Sequence, residues 1–124
     1  MAPAAELATL YETLAAEGKN FVAKSNEQVS KLAKDEADLQ AKLDALNKDI
    51  EAKSQSGASK EDKNAAKALK NDAKTVKKDL DKAKSATKQA RKDMIDQMKS
   101  MQSRHGDTLK NKYKDVESRI KAAS

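Results

Sequence analysis

The chain has 124 residues, of which only 18 are Leu, Ile, Val or Phe while 22 are alanine. It carries 26 Lys and Arg against 20 Asp and Glu, for a net charge of +6, and it has no cysteine. These numbers exclude a large globular core, a disulfide or zinc-thiolate scaffold, and a thiol nucleophile. We predict one all-α domain, residues 1–124, whose thin core must lie along a single seam.

Residues that interrupt helices are sparse along the chain. The only proline is Pro3, and the three glycines are Gly18, Gly57 and Gly106. The stretch SQSGAS, residues 54–59, is the clearest break. The following Ser-Lys-Glu-Asp predicts a new helix with Ser59 as its N-cap and acids in its first turn.

A second break is predicted at RHGD, residues 104–107, because Gly106 can take the left-handed cap conformation and Asp107 can cap another helix. The sequence therefore predicts three helices, at about 4–53, 60–105 and 108–122.

Apolar residues at heptad spacing predict an antiparallel coiled coil between the first two helices. On the first helix the core positions are Val22, Ser25, Val29, Leu32, Glu36, Leu39, Leu43, Leu46 and Ile50. On the second they are Leu69, Ala73, Val76, Leu80, Ala83, Thr87, Ala90 and Met94. The second set is mostly small, so the two helices can approach closely.

The two ends of the chain carry broader apolar faces, which include Tyr11 and Ile95. Leu109, Tyr113, Val116 and Ile120 add a third apolar stripe. We therefore predict a three-helix bundle that holds both termini, with a two-helix arm, about 22–92, projecting from it. In a competing arrangement the open faces meet a second copy and form a homodimer.

Opposite charge on the two halves of the hairpin favours their pairing. Residues 1–52 hold six basic and ten acidic side chains, whereas residues 60–92 hold twelve basic and five acidic. One basic row remains unexplained, because the core assignment gives it no acidic neighbours on the first helix. This stripe consists of Lys63, Lys67, Lys70, Lys74, Lys77, Lys84, Lys88 and Arg91, with Asp81 in the same row.

The stripe is either a solvated face or a surface for an acidic partner. An acidic protein surface is the leading interpretation, so we predict a helical interaction or scaffold protein. A peripheral binder of anionic membranes and a sequence-nonspecific nucleic-acid binder are the alternatives. Sequence-specific recognition of nucleic-acid bases is disfavoured, since only three of the 26 basic residues are arginine and the stripe contains no aromatic residue.

Nothing in the sequence indicates catalysis, so we predict a non-enzyme with no cofactor and no metal. His105 is the only histidine and is expected to be a cap or turn residue.

The Ala-Lys-Asp composition of residues 60–92 resembles that of late-embryogenesis-abundant and other helical protective proteins, although their eleven-residue repeat is missing. The N-terminus has no signal-peptide pattern. We expect an intracellular, cytoplasmic protein and leave signal-less export open.

Overall fold

In the computed structural model, which describes residues 2–55 and 57–123, the described chain is all-α, with two helices and no strand. Helix α1 is Pro3–Lys53 and helix α2 is Lys60–Ala123. The chain divides into two compact units. Unit 1 is Met1–Glu27 with Arg91–Ser124, and unit 2 is Gln28–Ala90, which overlaps the segment predicted as an arm.

The helix ends follow from local chemistry. Helix α1 begins at Pro3, a position where the missing N–H and fixed φ of proline are no disadvantage. At the start of α2 the Asp62 N–H donates to Ser59 Oγ at 3.1 Å, which confirms the predicted N-cap. Between the helices Gly57 has a φ of +84°, in the left-handed region that glycine tolerates. Ser56, part of the predicted break, lies outside the described residues.

The predicted separate third helix, 108–122, is not present, so the three-helix bundle is not confirmed. Helix α2 continues through Gly106 to Ala123, and the φ angle of Gly106 is not positive. A glycine inside a helix costs only about 1 kcal/mol relative to alanine. Packing on both sides of it offsets that cost, since Met101 is buried and Leu109 is half-buried. Asp107, predicted as a cap, is an exposed residue inside the helix.

The predicted core positions of unit 2 are buried or half-buried. Val76, Leu80 and Thr87 are buried on α2, while α1 contributes half-buried residues at every predicted position of this unit. Those α1 residues are Val29, Leu32, Glu36, Leu39, Leu43, Leu46 and Ile50. The hydroxyl of buried Thr87 donates to the Ala83 carbonyl at 2.9 Å, so its polar atom is satisfied. The short connection between α1 and α2 makes the two segments antiparallel.

Unit 1 also contains antiparallel segments of the two helices, which are joined by ion pairs. Arg119 Nη2 donates to Glu6 Oε2 at 2.6 Å, and Arg104 Nη2 donates to Glu17 Oε1 at 2.8 Å. Gly18 lies against Met101, whose Cε would be 3.9 Å from an added Cβ. Met101 and Val116 are the buried apolar residues of this unit among those described. The hydrogen bond from Arg119 holds the pKa of Glu6 below its usual range, with smaller contributions from Lys112.

The continuity of α2 predicts a stabilising effect of Gly106→Ala. In a helix interior this change should raise the free energy of unfolding by about 0.5–1 kcal/mol, because alanine loses less backbone entropy on folding. Nothing lies within 4 Å of the added Cβ. Urea denaturation measures the change. Gly57→Ala is the control and should destabilise, since φ is +84° there. Destabilisation by Gly106→Ala would indicate a break at this position.

The Glu6 ion pair predicts an acid-sensitive part of the stability. Because the folded pKa of Glu6 is lowered, its contribution is present above the ordinary carboxyl range and is lost as pH falls through the folded pKa. Glu6→Gln should therefore be less stable than the wild type at neutral pH, and the difference should shrink on acidification. Thermal denaturation as a function of pH measures it. Glu12→Gln removes an exposed carboxylate with no ion pair in the described residues and should show no such difference. A pH-independent effect of Glu6→Gln would contradict the assignment.

Candidate partner-binding groove

Unit 2 contains a basic groove of about 690 Å³ between α1 and α2. We call it the lysine groove, and it is lined by Leu43, Asn47, Ile50, Lys67, Lys70, Asn71, Ala73, Lys74 and Lys77. Four of the eight predicted stripe residues therefore line one groove. None of the lining residues is acidic and none is aromatic.

The seam of unit 2 fixes where these lysines lie. Val76 and Leu80 are buried against α1, so the residues one place after each seam position fall on one flank of the helix pair. The four lysines follow at steps of three, four and three residues. At 1.5 Å per residue they span about 15 Å along α2.

The floor of the groove is formed by apolar residues, and it is open because a small residue, Ala73, occupies a seam position. Ala73 is half-buried and faces the side of α1 that carries Leu43 and Ile50, both also half-buried. A larger residue at position 73 would fill this space. The amides of Asn47 and Asn71 add neutral hydrogen-bonding groups to the walls. The arrangement offers an apolar slot with a cationic rim.

The ammonium groups of the rim are not neutralised within the described residues. Lys67, Lys70, Lys74 and Lys77 are exposed, and no carboxylate of the part of the chain described lies within ion-pair distance of any of them. Lysines three and four residues apart repel one another by a few tenths of a kcal/mol per pair. The groove thus keeps an uncompensated positive potential that attracts anionic groups.

The remaining stripe residues lie outside the groove. Lys63, Lys84 and Lys88 belong to unit 2, are exposed, and have no ion pair in the described residues. Arg91 belongs to unit 1, so we leave it out of the site. Asp81 is exposed in the same row and forms no ion pair there either.

The environment of His105 differs from the prediction. It lies inside α2 rather than in a turn, half-buried, with Nε2 3.3 Å from Glu17 Oε2. That nitrogen has no partner in hydrogen-bond geometry among the described residues. Neither Glu17 contact was predicted, because the stretch that contains Arg104 and His105, residues 104–107, was expected to be a helix break.

A second groove, in unit 1, carries both signs of charge. Its volume is about 610 Å³, and Glu17, Lys24, Asp96 and Arg104 line it together with Phe21 and Met101. Its mixed charge favours no class of ligand. Among the described residues no three His, Asp or Glu side chains come together as a metal site.

Comparison with protein-family models, with curated proteins and with solved structures finds no significant match for this chain. Across the described residues, neither helix contains an apolar stretch long enough to traverse a lipid bilayer. The geometry of the groove is therefore the basis for a functional proposal.

Self-repulsion along the rim predicts that Lys74→Gln stabilises the free protein at low salt. Lys74 has like charges three or four residues away at Lys70, Lys77 and Lys78, each worth a few tenths of a kcal/mol. Glutamine has a similar helix propensity, so the gain should fade as salt screens the charges. Denaturant unfolding at low and high salt measures it. Lys48→Gln, near Asp44 and Glu51, should bring no gain. If the two variants behave alike at low salt, the rim lysines do not repel one another.

Proposed function

We propose that the protein is a non-enzymatic helical interaction protein whose unit 2, an antiparallel coiled coil, binds an acidic segment of a partner protein in the lysine groove. One observation carries the proposal. The groove combines an apolar floor, formed by Leu43, Ile50 and Ala73, with four lysines that no carboxylate of the described chain neutralises.

A protein segment has the chemistry that fits both parts of the groove. An amphipathic helix can place Leu or Met side chains on an apolar floor while Asp and Glu at neighbouring positions meet the rim. The rim lysines repeat at helical steps over about 15 Å, the length of roughly ten residues of a partner helix. A purely electrostatic ligand would leave the floor of Leu43 and Ile50 unused.

Nucleic acid and membrane fit less well. The groove has no arginine for bidentate recognition of guanine and no aromatic side chain on which a base could stack. Membrane insertion needs bulky apolar side chains beside the cationic ones. Among the described residues the exposed large apolar side chains are Tyr11, Ile95, Tyr113 and Ile120, and all four belong to unit 1.

The two parts of the groove contribute differently to binding. Exposed lysines mainly accelerate encounter with an acidic partner and make the association rate depend on salt. Apolar contacts on the floor mainly lengthen the lifetime of the complex, because burial of each Leu side chain stabilises by about 1.5–3 kcal/mol.

Titration with defined probes tests the proposal. The probes are a helical peptide with Leu and Glu repeating at helical steps, polyglutamate of equal charge, anionic vesicles, and duplex DNA. We expect the Leu-Glu peptide to bind at least about tenfold more tightly than polyglutamate, a difference of about 1.4 kcal/mol. Tighter binding of vesicles or of DNA than of the peptide would overturn the choice of a protein partner.

A matched pair of variants tests the site itself. Lys70→Glu with Lys77→Glu changes two rim lysines, whereas Lys34→Glu with Lys42→Glu makes the same change of net charge on exposed lysines of α1 that do not line the groove. The rim pair should abolish peptide binding with circular dichroism unchanged, and the control pair should weaken it only slightly. Equal losses in both would mean that net charge, rather than the groove, attracts the peptide.

A further inference from the structure

Unit 1 exposes an apolar face that the lysine groove does not explain. Tyr11 is 57% exposed, Tyr113 60% and Ile120 54%. Together with their neighbours on the same flank they form a surface that we call the tyrosine face. It consists of Ala4, Ala8, Tyr11 and Ala15 on α1 and of Leu109, Tyr113 and Ile120 on α2.

The helix register places these residues on one flank. Tyr11 comes one residue after half-buried Leu10, and Tyr113 one residue after half-buried Lys112. In an antiparallel helix pair, positions that follow the seam on both helices share a flank. The ion pairs between the helices lie on the other side, since Glu6 and Glu17 each precede a half-buried seam residue. Unit 1 therefore has one charged flank and one apolar flank.

The two helices contribute side chains of different size to the tyrosine face. Helix α1 offers mainly exposed alanines, and α2 offers Leu109, Tyr113 and Ile120. Rotation about a two-fold axis parallel to the helices sets α2 of one copy over α1 of the other, with large residues over small ones. Glu6 pairs with both Lys112 and Arg119, so Ala8 and Tyr113 lie at nearly the same level along the pair. The face is complementary to itself.

The size of the face matches a reversible dimer. The face spans 12 residues of each helix, Ala4 to Ala15 and Leu109 to Ile120, a length of about 18 Å, and two adjacent helices are about 20 Å wide. Pairing two such faces would bury about 700 Å² in total, the size of a weak, reversible interface. Exposed patches of this kind on a small protein are typical of interaction sites.

We propose that a second copy of this chain packs against the tyrosine face, with Tyr113 of one copy over Ala8 of the other. Unit 1 and its symmetry mate then form four helices that enclose the aromatic rings. The charged flank, with its Glu6 and Glu17 ion pairs, stays outside. The proposal is independent of the lysine groove, whose residues all belong to unit 2.

Sedimentation of the full chain tests the dimer. From about 1 to about 300 µM, a range that brackets a micromolar Kd, the mean mass should rise from 13.5 kDa toward twice that value. A mass that stays at 13.5 kDa throughout would overturn the proposal.

Charge substitutions test the face. Ala8→Glu adds a good helix former at an exposed position of α1, so helicity should persist while the Kd for the dimer rises at least about tenfold. Tyr113→Glu should act similarly from α2. Ser103→Glu, an exposed change on α2 outside the face, should leave the mass profile unaltered. A dimer that withstands both Ala8→Glu and Tyr113→Glu would use another surface, and the assignment would be wrong.

Disulfide trapping tests the orientation, because the natural chain has no cysteine. An Ala8→Cys variant mixed with a Tyr113→Cys variant should form the crossed disulfide in preference to either symmetric one. Preference for the symmetric Ala8→Cys disulfide would place α1 over α1 and contradict the proposed axis.

Discussion

The narrow seam between α1 and α2 is the constraint on which the rest of the structure depends. Among the described residues the buried apolar side chains are Ala66, Val76, Leu80, Met101 and Val116, and none is on α1. Because so little surface is buried, each helix must keep its seam positions in phase over many turns. That requirement decides which side chains can face solvent, and so it positions both surfaces proposed for binding.

The two units use their free flanks differently although the same two helices build them. In unit 2 the residues that follow the seam on α2 are mainly lysines, and small Ala73 leaves space beside them. In unit 1 the residues that follow the seam include Tyr11, Leu109 and Tyr113. Lysines on a rim attract anionic groups in water, whereas burying an exposed aromatic ring against another apolar surface lowers the free energy. We therefore propose different partners for the two units.

Much of the architecture could be predicted from the sequence because helix propensity and spacing are local. The end of α1 at Lys53 and the start of α2 at Lys60 agree with the expected break at 54–59. The core positions of unit 2 agree with the heptad assignment. Gly106 was misread because glycine weakens a helix without ending it when neighbouring turns pack against a second helix. That error hid the ion pairs of Glu6, which depend on the course of α2 beyond residue 106, and it placed Arg104 in a predicted break rather than in a helix beside Glu17. The rim lysines were predictable, but the apolar floor depends on how Ala73 sits opposite Leu43 and Ile50.

The ion pairs of unit 1 have a consequence for how the chain length can vary. Glu6 and Arg119 are 113 residues apart in the sequence, and Glu17 and Arg104 are 87 apart. The entropy of closing a loop grows only with the logarithm of its length, so that doubling the loop costs about 0.6 kcal/mol. The entropy of loop closure thus sets almost no limit on adding or deleting matched helical turns inside that loop. The need to keep the seam positions of the two helices in phase, rather than the distance along the polypeptide, restricts which insertions the protein tolerates.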